Sequence, residues 1–478
     1  MMTIVSAARV AALVGAFDRS PAYAGLARAV GLLVADGRIP AGARLPSERE
    51  LTETLGVSRT TVTRAYAALV ETGYASSRRG AGTFARVPGG RARTHDRALL
   101  PRAGDEDALD LNCAAPVSPP GLARAYEEAV GDLPAYLSGH GYYPAGLPRL
   151  QQAIAATYDA RGLPTDPDQI MVTAGALSAA SIVAQAFTGP GERVLVESPV
   201  YPNATQALRH SGARVIASPV DRDGWDLDAV GATLRQTAPT LAYLIPDFQN
   251  PTGHLMSDEQ REEYAAHLRR TRTIAVVDEA HQALALEGQP MPRPFAAFAP
   301  DAITIGSASK SFWGGLRLGW IRVPAHRMDT LTHARISLDL GAPVLEQLVL
   351  ARLLGRSEEL LPEHRQRLRE QRDALAVAVR TRLPDWRFQL PTGGLALWCE
   401  LPGELGVALA TAAERRDVIV APGPVFAAEG GLNRFVRLPW TRPVAELEEA
   451  VTRLADSWAT VRGSGDDAAR RTPRVMVA

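Results

Sequence analysis

The chain carries a single lysine, Lys310, in the segment SASKSFWGGLR that runs from residue 307 to residue 317. Lysine and arginine together number 52, which leaves 51 arginines. A desolvated lysine can lose its proton and attack a carbonyl carbon to form an imine, whereas a guanidinium group stays charged and is not nucleophilic. A GC-rich coding sequence accounts for the excess of arginine over lysine, but it does not explain why one lysine is kept at this position. The patterned neighbours of Lys310 favour a chemical role over a leftover surface lysine.

Three further residues can surround a heteroaromatic ring. Tyr201, in ESPVYPN, offers a flat face, and Asn250, in DFQNPTG, carries a side-chain amide that can donate to a phenolate oxygen. Asp278 ends the apolar run of VVDEAH with a carboxylate able to keep a pyridine nitrogen protonated. A Schiff-base lysine with an aspartate partner for the ring nitrogen is the arrangement that pyridoxal 5'-phosphate needs. The sequence therefore predicts this cofactor, with Lys310 as the imine-forming residue.

The same segments contain donors for a phosphate group. In TAGALSAASIV an apolar run changes into helical spacing, and backbone N–H groups at a helix start bind phosphate. Hydroxyl and guanidinium groups beside Lys310 add further donors. Taken singly, each residue has a structural alternative as a turn, a cap or a core residue, so the prediction depends on their order and spacing. The proposed phosphate residues are Gly175, Ala176, Leu177, Ser307, Ser309 and Arg317.

Six short runs rich in Val, Ile and Leu alternate with helix-length segments in this part of the chain. Buried strands joined by helical crossovers predict an α/β fold with a mainly parallel sheet and helices on both faces, followed by a small C-terminal subdomain. Ligands in such folds lie beyond the carboxyl ends of strands, where the residues above fall. The six runs are QIMVTAG, ERVLVESP, ARVIASPV, LAYLIPD, IAVVDEAH and AITIGSAS.

The N-terminal part has a different character. Residues 21–100 contain 12 arginines and 6 acidic residues, although the whole chain has a net charge of zero. Apolar spacing predicts a helix in YAGLARAVGLLVADGRI. Ser47 with Glu50 forms a capping-box signature for a second helix that ends at Gly56, and Ser58 is the expected N-cap of a third. YASSRRGAGTFAR then predicts two short strands with a basic tip, so the segment has the plan of a winged helix-turn-helix.

The second helix of a helix-turn-helix places its N-terminal residues against base edges or phosphates. The polar side of the third predicted helix, together with basic residues before it and in the wing, therefore forms the predicted DNA face. Its buried side is expected to contain Val62, Ala65 or Tyr66, and Leu69 or Val70. The predicted DNA-binding residues are Arg44, Arg49, Ser58, Arg59, Thr60, Thr61, Arg64, Arg79 and Gly82.

Composition limits the class of protein. A chain of 478 residues is too long for one ordinary core, so two or three domains are expected. Only two cysteines, Cys113 and Cys399, are present, which excludes a disulfide scaffold or a cysteine-rich metal site and fits a reducing, cytoplasmic setting. No metal is predicted. No apolar run reaches the roughly 20 residues that span a membrane, so no membrane association is expected.

The segment ARLPSERELTETLGVSRTTVTRAYAALVETGYASSRRGAGTFA closely resembles the winged helix-turn-helix of GntR-type bacterial repressors, over residues 21 to 86. Residues 108 to 462 resemble fold-type I aminotransferases, and the combination resembles the MocR/GabR family of regulators. We therefore expect a DNA-binding domain at 1–86 (core 21–86), a linker at 87–107, a cofactor-binding domain at 108–462 and a disordered tail at 463–478. The family implies a homodimer on double-stranded operator DNA.

The resemblance also implies residue roles. Lys310 forms the internal aldimine, and Asp278 pairs with the pyridinium. Asn250 binds the phenolic oxygen and Tyr201 stacks on the ring. The six predicted phosphate residues named above hold the phosphate. In NRFVRLPW, Arg437 is expected to bind a substrate or effector α-carboxylate, in preference to Arg434. His281 stands where these enzymes usually have a tyrosine, so an imidazole would meet the phenolic oxygen.

Three functions are compatible with these features. The first is a transcription regulator whose aminotransferase-like domain senses pyridoxal phosphate, an amino compound or both. The second is an active aminotransferase with an accessory DNA-binding domain. The third is a regulator of vitamin B6 synthesis that responds to the cofactor itself. The intact winged helix favours a regulator, and the nearly complete cofactor set keeps the enzyme open.

Overall fold

The computed structural model describes residues 4–78, 80–88 and 108–463. The chain divides into two compact units, Met1–Asp96 with Ser118–Glu128, and Arg97–Val117 with Ala129–Ala478. Most of the predicted linker at 87–107 and of the predicted tail at 463–478 lies outside the described residues, so the exact domain bounds remain predictions. No helix within the described ranges is long and apolar enough to cross a membrane.

The first unit is a bundle of short helices followed by a β-hairpin. Its core is formed by apolar residues that recur at helical spacing, among them Leu26, Val30, Leu51, Val62 and Leu69. The unit also contains the start of α5 (Leu122–Asp132), where the Asp36 carboxylate accepts hydrogen bonds from the N–H groups of Gly121 and Ala123. The other elements are α1 (Ala7–Val14), α2 (Ala22–Ala35), α3 (Glu48–Leu55), α4 (Arg59–Glu71), β1 (Ala75–Arg78) and β2 (Gly82–Ala85).

Side-chain caps define the turn between α3 and α4. Ser47 Oγ accepts from the Glu50 N–H at 3.2 Å, and Glu50 Oε2 accepts from the Ser47 N–H at 2.8 Å, so the predicted capping box is confirmed. Gly56 ends α3 in the left-handed region, at φ 62°. Ser58 Oγ then accepts from the Thr61 N–H at 3.1 Å and starts α4, as predicted.

The buried side of α4 and the wing follow from packing. Val62 is buried in α4 as predicted. Of the alternatives left by helical spacing, Ala65 and Tyr66 are both buried, whereas Leu69 is buried and Val70 is exposed. Strands β1 and β2 pair in antiparallel register with Arg78 opposite Gly82. The predicted hairpin is thus present, and the predicted DNA contact Arg79 falls on a residue outside the described ranges.

The second unit is built around an eight-stranded sheet. Strand β11 is antiparallel to both of its neighbours, β10 and β4, whereas the neighbouring pairs from β10 to β6 are parallel, so the predicted mainly parallel sheet is confirmed. The order is β4-β11-β10-β9-β8-β5-β6-β7. The strands are β4 (Ile170–Thr173), β5 (Arg193–Ser198), β6 (Arg214–Asp221), β7 (Gly224–Trp225), β8 (Leu241–Leu244), β9 (Ile274–Asp278), β10 (Ile303–Ser307) and β11 (Gly319–Arg322).

All six predicted strands form, and two more strands of this sheet were missed. Every residue of β4 and of β8 is buried although successive side chains point to opposite faces, which requires cover on both faces of the sheet. Strand β11 was missed because its four residues include a glycine and an arginine, and β7 because it has two residues. The covering helices are α6 (Pro148–Asp159), α7 (Ala176–Phe187), α8 (Pro202–His210), α9 (Leu227–Thr237), α10 (Asp258–Thr271), α11 (Ala308–Ser311), α12 (Met328–Ile336) and α13 (Val344–Leu354).

The C-terminal part forms a smaller layer with its own sheet, in the order β12-β15-β14. Trp386 and Trp458 meet edge to face in its core, with ring centroids 5.7 Å apart. Strand β3 (Leu109–Asp110) pairs with β13 (Val418–Ile419), so the start of this unit joins its end. The remaining elements are α14 (Ser357–Arg382), β12 (Ala396–Glu400), α15 (Gly406–Glu414), β14 (Ala421–Pro422), β15 (Phe435–Pro439) and α16 (Val444–Gly463).

The capping box yields a stability prediction. Replacing Ser47 by alanine removes the acceptor for the Glu50 N–H, so the free energy for opening α3 should fall by about 1 kcal/mol. Native-state hydrogen exchange of the α3 amides in the full chain measures this opening directly. Ser77→Ala, at an exposed position of β1, is the matched control and should leave α3 protection unchanged. Equal protection in Ser47→Ala would contradict a stabilising cap.

Candidate functional site

The predicted cofactor residues lie at the carboxyl ends of neighbouring strands. Asp278 is the last residue of β9, and Ser307 is the last residue of β10, which is paired in parallel with β9. Tyr201 follows β5 and Asn250 follows β8, and these two strands are also parallel neighbours. Because parallel strands end at the same edge of a sheet, residues distant in sequence meet there.

Lys310 occupies the short helix α11, directly after β10. Its Nζ donates a hydrogen bond to the carbonyl oxygen of Ala114 at 3.0 Å. Burial lowers the pKa of Lys310 to about 8, with opposing effects of Cys113 and Asp278 that raise it. A substantial fraction of the amine is therefore unprotonated at mildly alkaline pH, the state in which it is a nucleophile.

Asp278 is held by two donors. The Tyr243 hydroxyl donates to Oδ2 at 2.5 Å, and the Ala280 N–H donates to Oδ1 at 2.9 Å. Burial raises the pKa of Asp278, and these two hydrogen bonds, with the charge of Lys310, oppose that shift. Sequence reasoning missed Tyr243. The available signal was a single tyrosine within LAYLI, an otherwise aliphatic and fully buried run.

Three of the predicted phosphate residues, Gly175, Ala176 and Leu177, lie at the start of α7, and Arg317 lies beside them. Gly175 is the N-cap of this helix at φ 102°, a conformation that L side chains rarely adopt. A Cβ there would lie 3.0 Å from a terminal nitrogen of Arg317, whose guanidinium donates to the Ala174 carbonyl at 3.3 Å. The Arg317 guanidinium therefore lies beside Gly175, the residue that precedes Ala176 and Leu177.

Two of the predicted phosphate residues, Ser307 and Ser309, precede Lys310 in the sequence. Ser307 Oγ accepts from the Ser309 N–H at 3.2 Å, and Ser307 is the N-cap of α11. The Ser307 hydroxyl therefore has a structural partner, and both serines lie on the strand-to-helix turn that carries Lys310.

Tyr201, at the start of α8, accepts a hydrogen bond on its hydroxyl oxygen from Asn203 Nδ2 at 2.9 Å. Burial raises the pKa of Tyr201.

Arg437 lies in β15 and is fully buried. One terminal nitrogen donates to Asn250 Oδ1 at 3.2 Å, another donates to the Asn112 carbonyl, and the guanidinium carbon lies 4.9 Å from the centre of the Phe426 ring. Burial lowers its pKa to about 10. Arg434, the alternative carboxylate ligand, is half-exposed and lies 3.7 Å from Glu400 on the surface. Of these two arginines, it is Arg437 that is hydrogen-bonded to a predicted cofactor residue, Asn250.

His281 is neutral in this site. Its Nδ1 lies 3.0 Å from the Phe248 carbonyl oxygen, which can only accept, so Nδ1 carries the proton. Burial, together with the charges of Lys310 and Arg437, lowers the pKa of His281 to about 4. Its Nε2 therefore presents a lone pair rather than a donor.

The N-terminal residues of α4 are the exposed part of the helix-turn-helix. Arg59, Thr60 and Arg64 are exposed there, and the guanidinium of Arg64 stacks 3.7 Å from the centre of the Tyr23 ring. Ser58 and Thr61 are also at this end, but their hydroxyls bond to each other at 2.8 Å. Both belong to the cap as well as to the predicted DNA face.

The remaining predicted DNA residues lie on α3 and near the wing. Arg49 is exposed and pairs with Glu53 one turn along α3. A Cβ on Gly82, which has φ 108°, would lie 3.0 Å from Nε of Arg44, so the arginine packs against the glycine at the wing. Every predicted DNA residue within the described ranges thus belongs to α3, α4 and their cap, or to the wing and the segment beside it.

The residues fit pyridoxal 5'-phosphate on three structural observations. Lys310 is an amine of depressed pKa, suited to attack an aldehyde, and Arg437 is a buried cation with no salt bridge to a carboxylate in the described part of the chain. Asp278 is a buried acid at the same edge of the sheet. The helix start at Gly175 has a positive φ that favours glycine, and the Arg317 guanidinium lies beside it.

Comparison with known proteins agrees with this geometry. Residues 135–454 match the family "Aminotransferase class I and II", and residues 22–85 match the bacterial regulatory proteins of the gntR family. The chain is similar to a crystal structure of LysN, an alpha-aminoadipate aminotransferase from Thermus thermophilus complexed with N-(5'-phosphopyridoxyl)-L-leucine. The identity is 28% and the TM-score 0.68, covering 77% of this chain and 97% of LysN.

Two regulators are similar over most of their length. The HTH-type transcriptional regulator YisV of Bacillus subtilis is 26% identical over 88% of this chain and 92% of its own. The probable rhizopine catabolism regulatory protein MocR of Rhizobium meliloti is 28% identical over 73% of this chain and 75% of its own. The cofactor of this aminotransferase fold is pyridoxal phosphate. The chain therefore belongs to the class I and II aminotransferase family and, through its fused GntR-type DNA-binding domain, to the MocR/GabR-type regulators.

Proposed function

We propose that this protein is a cytoplasmic transcription regulator. It binds double-stranded operator DNA through its first unit and responds to an amino compound that binds to its second unit. The observation that carries the proposal is the presence, in one chain, of a fully capped helix-turn-helix with a wing and of a buried site around the only lysine. An enzyme has no need of the first, and a simple repressor has no need of the second.

Each residue of the site has a proposed task. When bound, pyridoxal phosphate supplies an aldehyde that condenses with amines and a ring that withdraws electrons. Lys310 is the amine that holds it, since burial lowers the pKa of Lys310 to about 8. Asp278 accepts from the ring nitrogen with its position fixed by Tyr243. Arg317 and the N–H groups at the start of α7 bind the phosphate, and Tyr201 covers the ring.

Arg437 is the proposed ligand for a carboxylate on the amino compound. Its guanidinium is held in place by Asn250 and Asn112 and by the Phe426 ring. A planar, fixed guanidinium recognises a carboxylate through two parallel hydrogen bonds. The effector class is therefore an amino acid rather than a simple amine.

An exposed apolar surface supports the proposed homodimer. Leu137 is 70% exposed and Leu338 is 52% exposed, and Tyr142 and Leu340 are exposed beside them in sequence. The two segments are adjacent, because a Cβ on Gly341 would lie 2.7 Å from the Tyr143 carbonyl oxygen. Apolar side chains grouped in this way are typical of a surface that a second subunit covers. Two subunits would present two helix-turn-helix units to two half-sites.

Active transamination is the second candidate. The depressed pKa of Lys310 favours it, because a lysine that loses its proton easily can also move protons during turnover. Neutral His281, in place of the usual tyrosine, favours the regulator. The third candidate, a regulator of vitamin B6 synthesis, would differ from the other two in responding to the cofactor alone. Footprinting the DNA upstream of its own gene and of the neighbouring gene, with and without pyridoxal phosphate and amino acids, separates the three.

The DNA contact is tested at the first residue of α4. Arg59→Ala should weaken operator binding. A lost phosphate contact reduces the salt slope by about one unit, and a lost base contact costs roughly 1–3 kcal/mol and relaxes specificity. Fluorescence anisotropy at several salt concentrations measures both. Arg214→Ala, an exposed arginine of β6, is the control. Wild-type binding by both Arg59→Ala and Arg64→Ala would show that the recognition helix is misassigned.

The lysine is tested by its pH dependence. The pKa of about 8 lies below the ordinary 10.5, so the amine is protonated below pH 8 and free above it. Attachment of pyridoxal phosphate to the cofactor-free chain should therefore accelerate with pH and level off above about 8, as followed by visible absorbance. Lys310→Arg keeps a positive charge without a nucleophile and should show no attachment. A rate that still climbs between about pH 9 and 10, toward the ordinary lysine pKa, would argue against a desolvated Lys310.

Regulation is tested by coupling between the two ligands. In the regulator, the amino acid and operator DNA change each other's affinity by the same factor, usually equivalent to about 1–3 kcal/mol. Lys310→Ala should bind operator with wild-type affinity and ignore the amino acid. Titrations of a panel of amino acids with and without operator measure this. Turnover of an amino donor and a keto acid at on the order of 1 per second or faster, with DNA binding unaffected, would establish the aminotransferase instead.

A further inference from the structure

Glu197 is a buried carboxylate that none of the tasks above uses. It lies in β5, one residue before the strand ends, and is 1% exposed. Its Oε1 accepts from Trp225 Nε1 at 2.8 Å. Its Oε2 accepts from the Ile245 N–H at 3.2 Å and from Gln249 Nε2 at 3.1 Å. Among the residues that the structure describes, this acid has three donors and no cation partner, so its surroundings call for an oxygen at both positions.

Two of these donors belong to the loop that carries Asn250. Gln249 also donates to the Pro199 carbonyl at 2.7 Å and accepts from the N–H and the hydroxyl of Thr252, so its side chain links the Thr252 end of the loop to Glu197 and Pro199. The next residue, Asn250, offers its side-chain oxygen to Arg437. A continuous path of hydrogen bonds and one peptide therefore leads from Glu197 to the buried guanidinium.

We propose that Glu197 is a positioning residue for carboxylate recognition: it fixes the loop 245–252 so that Asn250 holds Arg437 in the orientation that receives the carboxylate of the amino compound. The inference rests on the proposed role of Arg437 as the carboxylate ligand. It adds that the selectivity for amino acids over amines depends on a residue that touches neither ligand nor cofactor.

The chemistry of the three donors explains why the residue is an acid. Burial raises the pKa of Glu197 to about 7, and the hydrogen bonds from Trp225, Gln249 and Ile245 oppose that shift. A glutamine at this position has one oxygen and one NH2 group. If the amide oxygen accepts from the two loop donors, the NH2 group faces the indole N–H of Trp225. If the amide oxygen accepts from Trp225, the NH2 group faces the two loop donors. Glu197→Gln therefore places donor against donor on one side.

The test compares two stable adducts that differ by one carboxylate. N-(5'-phosphopyridoxyl)-L-leucine and the corresponding adduct of 3-methylbutylamine both contain the phosphate and the ring, so both bind measurably. Binding to the full-length, cofactor-free chain is measured by calorimetry at about pH 8, above the pKa of about 7 for Glu197. The wild type should prefer the leucine adduct by about 10- to 100-fold, the value of hydrogen bonds to a charged group. Glu197→Gln should reduce this preference about 10-fold and leave the affinity for the amine adduct nearly unchanged.

Two further variants separate positioning from loss of structure. Trp225→Phe keeps both loop donors on the carboxylate and should retain the wild-type preference. Glu197→Gln combined with Trp225→Phe removes the donor conflict, lets the amide oxygen face the loop and should restore much of the preference. If Glu197→Gln melts below the assay temperature, Gln249→Ala removes the same link from the loop side and should show the same selective loss.

The outcomes are distinguishable. No preference in the wild type would overturn the role of Arg437 and this inference with it. A wild-type preference that survives in both Glu197→Gln and Gln249→Ala would overturn the role of Glu197 alone. An equal loss of both adducts in these variants, with no rescue in the double variant, would show that Glu197 serves only the stability of the fold.

Discussion

The second unit depends on a half-buried lysine and a buried arginine, Lys310 and Arg437, which have no carboxylate partner among the described residues. Lys310 and Arg437 both have depressed pKa values, about 8 and about 10, because burial penalises their charged forms. Burying an unpaired charge costs several kcal/mol, and a bound anion offsets that cost. The site is therefore built for anions and for a nucleophilic amine at the same edge of the sheet.

The chain holds these two cations through hydrogen bonds and a ring contact rather than through salt bridges. Backbone carbonyls of Ala114 and Asn112 accept from the lysine and the arginine, and the Phe426 ring lies against the guanidinium. Such partners hold the cations in place without neutralising them. The acids nearby, Asp278 and Glu197, are instead engaged by tyrosine, indole and amide donors. Although the charge of Asp278 acts on Lys310, no salt bridge to a carboxylate engages either cation in the described part of the chain, which leaves both available to a ligand.

The two units are held together by different kinds of contact. The helix-turn-helix is held by caps and by apolar contacts between consecutive helices, so its exposed residues can serve DNA without conflict with the core. Even there, the same group serves twice, because Ser58 both caps α4 and lies on the predicted DNA face. The second unit depends on contacts between residues far apart in sequence, which bring a lysine, an acid and an arginine to one place.

The sequence by itself determined the features that depend on near neighbours. The capping box at Ser47, the cap at Ser58 and six of the strands follow from interactions within a few residues and from the spacing of apolar side chains. The single lysine needed no structure to stand out. Strand β11 could not be predicted, because four residues with a glycine and an arginine carry too little pattern.

Only the tertiary structure decided which polar groups meet. Tyr243 bonds to Asp278 across 35 residues, Arg437 bonds to Asn250 across 187, and the tautomer of His281 is set by a carbonyl 33 residues away. The order of the strands fixes these pairs, and no local preference encodes that order. Arg437 entered the site rather than Arg434 because β15 is buried at Arg437, whereas Arg434 precedes the strand and stays half-exposed.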